Sequence, residues 1–152
     1  MFSACCRHSP SEPMSSNVPI AAVLTVDSAS INGPASFAGH VLITNNDSVA
    51  IEVNEWQSSV PTLVLEIQDG KGNSVPHLPP PVPDEEAIDA SWKALDPGNE
   101  LRINYSGLSV DREFMPVGQY RVRFNGEIRR KSANPPVTQG LTSDWVTIEV
   151  RK

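Results

Sequence analysis

The sequence predicts an all-β fold of two antiparallel sheets packed face to face, built from about seven strands. Three observations predict it. Apolar and polar residues alternate with a period of two in seven separate segments, and seven one-sided strands need a second sheet to cover them. Fourteen prolines and nine glycines punctuate the chain while aromatics make up only 6%, which suits many short strands rather than a few long helices. At 152 residues, with 39% apolar and 20% charged residues, the chain has the size and composition of one globular domain.

Residues 1–18 carry no periodicity and are expected to form a disordered tail, with the sandwich filling 19–152. "IAAVLTV" then places Ile20, Ala22, Leu24 and Val26 on one face. "SFAGHVLIT" does the same for Phe37, Gly39, Val41 and Ile43, leaving His40 on the opposite face. "NNDS" (45–48) is a turn, because Asn and Asp tolerate left-handed backbone and bond their own chain. "VAIEVNEW" turns Val49, Ile51 and Val53 inward and Glu52 and Asn54 outward. "LVLEIQ" buries Leu63, Leu65 and Ile67, and "DGKGN" closes it as a hairpin turn. "LRINY" alternates Leu101, Ile103 and Tyr105 against Arg102 and Asn104. "YRVRF" buries Tyr120, Val122 and Phe124 and exposes Arg121 and Arg123. "WVTIEV" ends the pattern with Val146, Ile148 and Val150 inward.

"LDPGNEL" (95–101), "PVGQYRVRF" (116–124) and "LTSDWVTIEV" (141–150) resemble the closing half of bacterial immunoglobulin-like and fibronectin-like domains. "VLITNNDSVAIEV" is similar to the earlier strand–turn–strand of the same group. The resemblance covers roughly residues 20–150. It implies an immunoglobulin-like sandwich and leaves activity open, since the group includes adhesin modules, enzyme-appended domains and proteinaceous protease inhibitors.

The net charge of −6 is unevenly spread: residues 1–101 hold 13 acids and 3 bases, and residues 102–152 hold 5 acids and 9 bases. An acidic chain is a poor nucleic-acid binder, because phosphate contact needs a basic footprint. No apolar run approaches the ~20 residues that span a bilayer. The two cysteines, Cys5 and Cys6, are neighbours and cannot staple distant segments, so stability must come from the core. "MFSACC" followed by a Ser/Pro tether resembles the end of a lipoprotein signal, with Cys5 as the lipid anchor, but lacks its charged and apolar regions. An extracytoplasmic location follows if the true start lies upstream of Met1, and a cytoplasmic one otherwise.

No cofactor or catalytic group is expected. His8, His40 and His77 share no metal-ligand spacing, "DEEAID" lacks the spacing of a calcium loop, and no nucleophile elbow or phosphate loop occurs. What remains is loops. If the seven strands alternate in direction, connections 45–48, 69–98 and 126–143 share one end, and long loops on rigid sandwiches are where binding resides. Asp84, Glu85 and Glu86 follow the stiff "LPPPVP" in one loop, and Arg129, Arg130 and Lys131 lie in the other. Trp92 borders the first as an aromatic anchor. The expected function is a non-enzymatic interaction module that recognises a protein through that end. The alternatives are a protease-inhibitor-like domain inserting those loops into a cleft, and an accessory domain with a structural role.

Overall fold

Period-two alternation becomes strand in each of the seven segments, and three further strands arise from stretches too short or too polar to show it. The computed structural model describes residues 19–32, 36–54, 65–75, 85–109, 115–130 and 134–152. In chain order the elements are β1 (Ile20–Val26), β2 (Ser30–Asn32), β3 (Ser36–Asn45), β4 (Ile51–Asn54) and β5 (Leu65–Asp69). A one-turn helix α1 (Glu85–Ala90) follows, then β6 (Trp92–Leu95), β7 (Glu100–Ser109), β8 (Gly118–Arg130), β9 (Val137–Thr142) and β10 (Val146–Arg151). The fold is all-β with two sheets. One has the order β1-β3-β7; the other runs β2-β10-β8-β4-β6, with β5 and β9 also paired to β8. Among the described residues no helix is long and apolar enough to cross a membrane. The expected tail, residues 1–18, lies outside the described residues.

β8 organises the larger sheet. Its thirteen residues bury Tyr120, Val122, Phe124, Gly126 and Ile128 in unbroken alternation. Along one edge it pairs first with β10 (Ile148↔Tyr120) and then with β9 (Gly126↔Leu141). Along the other it pairs with β5 (Leu65↔Phe124) and then β4 (Val53↔Ile128). Ser143 marks the break between β9 and β10: its N–H donates to Phe124 O and its Oγ accepts from Phe124 N, both at 3.0 Å. Phe124 is fully buried, and Val41, Ile43, Ile103 and Tyr105 of the smaller sheet belong to the same apolar cluster. Each large apolar side chain so buried stabilises the fold by roughly 1.5–3 kcal/mol.

Three expectations are corrected. The described residues form ten strands rather than seven, and one pair is parallel: β2 runs alongside β10 (Val150↔Ile31). The chain passes from β1 in the smaller sheet to β2 in the larger one in three residues, and Glu149 N–H secures the crossing on Ala29 O at 2.8 Å. Residues 126–130 and 137–142 are strand rather than loop. The polar look of "NGE" hides the fact that Gly126 and Ile128 keep the inward phase, so β8 continues to Arg130 and turns into β9. The stretch 69–98 contains β6, which removes the parity that placed the two long connections at one end. β6 shows little alternation of its own and exists because β4 offers a partner, with Ile51 opposite Leu95 and Asn54 opposite Trp92.

Polar groups pin the turns. Asn45, wholly buried, donates from Nδ2 to Val49 O (3.0 Å) and Leu95 O (2.9 Å) and accepts from Asp47 N–H (3.0 Å). Its backbone exchanges bonds with the 96–99 turn, where Gly98 takes φ +77°. Tyr120 Oη donates to Pro116 O at 2.7 Å, clamping the start of β8 onto the segment before it. Tyr105, 2% exposed, has the one buried side-chain polar atom without a partner among the described residues, its hydroxyl.

Candidate functional site: the outer face of the large sheet

The alternation that buries one face of β8 turns Arg121, Arg123, Asn125, Glu127 and Arg129 onto the other, about 7 Å apart from one to the next. Two tryptophans lie on this stripe, one toward each end.

At the end near Arg129, neighbouring strands supply the remaining parts. The register sets Glu52 of β4 opposite Arg129, and Arg129 Nε donates to Glu52 Oε2 at 2.6 Å. The same guanidinium lies 4.6 Å from the centre of the Trp92 ring on β6. Ser91 Oγ donates to Asn54 Oδ1 at 2.5 Å, tying the start of β6 to β4. Glu52 and Asn54 are each only 4% exposed. The alternation had pointed them at solvent and turned Val49 inward, whereas Val49 is 41% exposed. The correction has a simple cause: Arg129 pairs with Glu52, and β6 lies against β4. A carboxylate this buried is tolerable because a charged donor meets it directly. Arg130 Nη1 reaches Asp47 Oδ2 at 2.5 Å. That bond, helped by the Ser48 N–H, holds the Asp47 carboxyl below its ordinary value of 3.8.

At the end near Arg121, Arg123 Nη2 meets Glu66 Oε2 of β5 at 2.7 Å and its guanidinium lies 4.4 Å from the Trp145 ring centre. Arg121 also approaches Trp145, at 5.2 Å, and donates from Nη2 to the Gln68 amide oxygen at 2.8 Å. Its partners are neutral, so its charge is uncompensated. Burial, with a smaller contribution from the Asp69 charge, pushes the neighbouring Tyr120 hydroxyl above its usual range.

Of the residues singled out from the sequence, Trp92 and Arg129 are brought into contact. Arg130 joins the 45–50 turn through Asp47 instead. Glu85 and Glu86 are exposed in the first turn of α1 and form no ion pair with either arginine. Asp84 and Lys131 lie outside the described residues. Alternation marked Arg121 and Arg123 as outward, but nothing in the sequence marked their grouping with Glu66 and Trp145. Partners 57 and 77 residues apart leave no local signal. Among the described residues no group of three or more His, Cys, Asp or Glu side chains could hold a metal ion. No model of a known protein family matches this chain, and no curated protein matches it.

Proposed function

We propose that the chain is an immunoglobulin-like domain acting as a non-enzymatic interaction module, and that its partner is a protein. Two features support the immunoglobulin-like reading. A three-stranded sheet, β1-β3-β7, accompanies a larger one in which β2, β10, β8 and β4 follow in order, with only β2 among the described strands parallel to its neighbour. Tyr120 at the start of β8 bonds back to Pro116, in the manner of the tyrosine corner that opens the equivalent strand of such domains. The chain departs from antibody domains two residues later, where Val122 stands at the position of their inter-sheet cysteine.

The observation that carries the protein-binding reading is the Trp92–Arg129–Glu52 unit on the outer face of the large sheet. Tryptophan and arginine dominate binding energy at protein interfaces, where they fill desolvated pockets. Here Glu52 and the Trp92 ring already hold the Arg129 guanidinium in place. Little further rotamer entropy, normally ~0.5–1.5 kcal/mol per side chain, is left to lose on binding. The working surface is thus a sheet face rather than a rim of loops.

The test is affinity capture from cells of the source organism, followed by kinetics with the captured protein. Wild type and Val23→Ser, a change at an exposed position on the smaller sheet, should bind alike. Trp92→Ala should dissociate roughly tenfold faster or more. A partner indifferent to Trp92→Ala would reject this face as the interface.

A further inference from the structure

The turn after β5 rests over the opposite end of the same face, and between the two lies a groove of about 310 Å³. Gly70, Lys71 and Gly72 form its roof, with Gln119, Arg121 and Thr147 among the residues of its floor. The turn is held in one shape by its own carboxylate. Asp69 Oδ1 accepts the Lys71 and Asn73 N–H groups, both at 2.8 Å, and Oδ2 accepts Asn73 Nδ2 at 2.9 Å. Gly72 takes φ +86°, a backbone conformation that L side chains rarely adopt, and its Cα side lies within van der Waals reach of Arg121 Nη2.

Two cations line the groove and neither meets a carboxylate. Lys71 makes no side-chain hydrogen bond or ion pair among the described residues, and Arg121 has only the Gln68 amide and the Trp145 ring. Asp69, whose carboxyl feels the Lys71 charge, has both oxygens engaged inside its own turn, and Glu149, across from Gln119, pairs with Arg151. Arg123, Arg129 and Arg130, on the same strand, each have a carboxylate within 2.7 Å. Of the four described arginines on β8, the one without a carboxylate is therefore the one in this groove.

We propose that the groove is a carboxylate-binding subsite that receives an acidic side chain of the protein partner, an inference that rests on the protein-binding reading above. The chemistry selects the ligand. A carboxylate suits a planar guanidinium with donors to spare beside a mobile ammonium, and Thr147 and Gln119 add neutral donors. A nucleic acid is disfavoured because the whole chain carries −6. A single carboxylate seated within a few ångströms of two cations is governed by them instead, since more distant charges are screened over ~8–10 Å. The groove and the Trp92–Arg129 unit lie eight residues apart along β8, roughly 26 Å. That is about the breadth of a standard interface of ~800 Å² per partner.

The experiment uses the full chain, labelled with nitrogen-15, and an acetylated tetraglutamate peptide. Saturable shifts are expected at the Gly70, Lys71 and Gly72 amides and the Arg121 side chain, with a dissociation constant on the order of millimolar. A tetraglutamine peptide should leave them unmoved. Lys71→Gln and Arg121→Gln should each weaken binding on the order of tenfold, as loss of one charge-assisted bond does. Lys71 is exposed, so its variant keeps the test valid even if Arg121→Gln perturbs the sheet. Absence of a saturable shift at roughly 50 mM peptide, about fifty times the expected constant, overturns the proposal. So does binding by both variants that is as tight as that of the wild type. Inorganic phosphate binding more tightly than tetraglutamate would overturn the assignment to an acidic side chain. The two readings fail separately: peptide binding with capture indifferent to Trp92→Ala rejects the wider interface and keeps the carboxylate site. Capture lost in Trp92→Ala with no peptide shift rejects the groove alone.

Discussion

The two ends of the outer face of β8 use the same side chains to different effect. Near its C-terminal end Arg129 sits over Trp92 and is neutralised by the buried Glu52. Near its N-terminal end Arg121 shares Trp145 with Arg123, and only Arg123 has a carboxylate. Arginine on tryptophan thus has two meanings on one strand. Where an acid completes the set, the unit is part of the fold and presents a rigid surface. Where the acid is missing, the charge is left for a ligand. The difference comes from what β4 and β5 place opposite: Glu52 lies across from Arg129, whereas Gln68 lies across from Arg121.

The largest effect should come from the floor that both ends share. Phe124 lies midway along β8, 0% exposed, where its pairing partners change from β5 and β10 to β4 and β9. Phe124→Ala should cost ~3–5 kcal/mol in urea unfolding. A loss under about 1 kcal/mol would mean that the two ends do not depend on a common core.

Next in size are the arginines themselves. Arg129→Ala removes the cation beside the Glu52 carboxylate, whose side chain is 6% exposed, and should cost about 2–3 kcal/mol. Arg121→Gln, on an exposed side chain with neutral partners, should change stability by under about 0.5 kcal/mol. Equal losses in the two variants would erase the distinction between a structural and a ligand-facing arginine.

A third variant probes the sheet opposite. Tyr105→Phe removes a buried hydroxyl that has no partner and should raise stability by about 1–2 kcal/mol. Burial also holds both tyrosines above their usual range. A tyrosine whose folded pKa is raised stabilises fully below its unfolded value of 10.0 and loses that contribution as pH rises toward the folded value. Ultraviolet titration of the native protein should accordingly show less tyrosinate at pH 10 than the denatured chain, which is half ionised there.

The smallest effect sharpens the Arg129 end. Asp47 is held below 3.8 by Arg130, so its contribution is present above pH 3.8 and fades as pH falls through the folded value. Asp47→Asn should flatten the acid limb of the stability curve below pH 3.8 and leave its slope near neutrality unchanged. An unaltered acid limb would show that the Arg130 pair contributes nothing to acid resistance.

How much of this was legible in the sequence follows from the range of each interaction. Period-two alternation assigned Ile20, Leu24, Val41, Ile43, Leu65, Ile67, Ile103, Tyr105, Tyr120, Val122, Phe124, Ile148 and Val150 to the core, and all are buried. It also turned Arg121 and Arg123 away from that core, and the hairpin chemistry of "DGKGN" forecast the turn that roofs the groove. These are local facts, because a strand's pleat and a turn's dihedrals depend on a few adjacent residues. Only the tertiary structure decided which outward side chains meet. Glu52 is buried because Arg129, 77 residues away, lies across from it. β6 is a strand because β4 offers an edge, and Arg121 is uncompensated because β5 sets Gln68 rather than an acid beside it. Alternation specifies a face but not a neighbour, and the register between strands distant in sequence is set by the packed core, which no local pattern encodes.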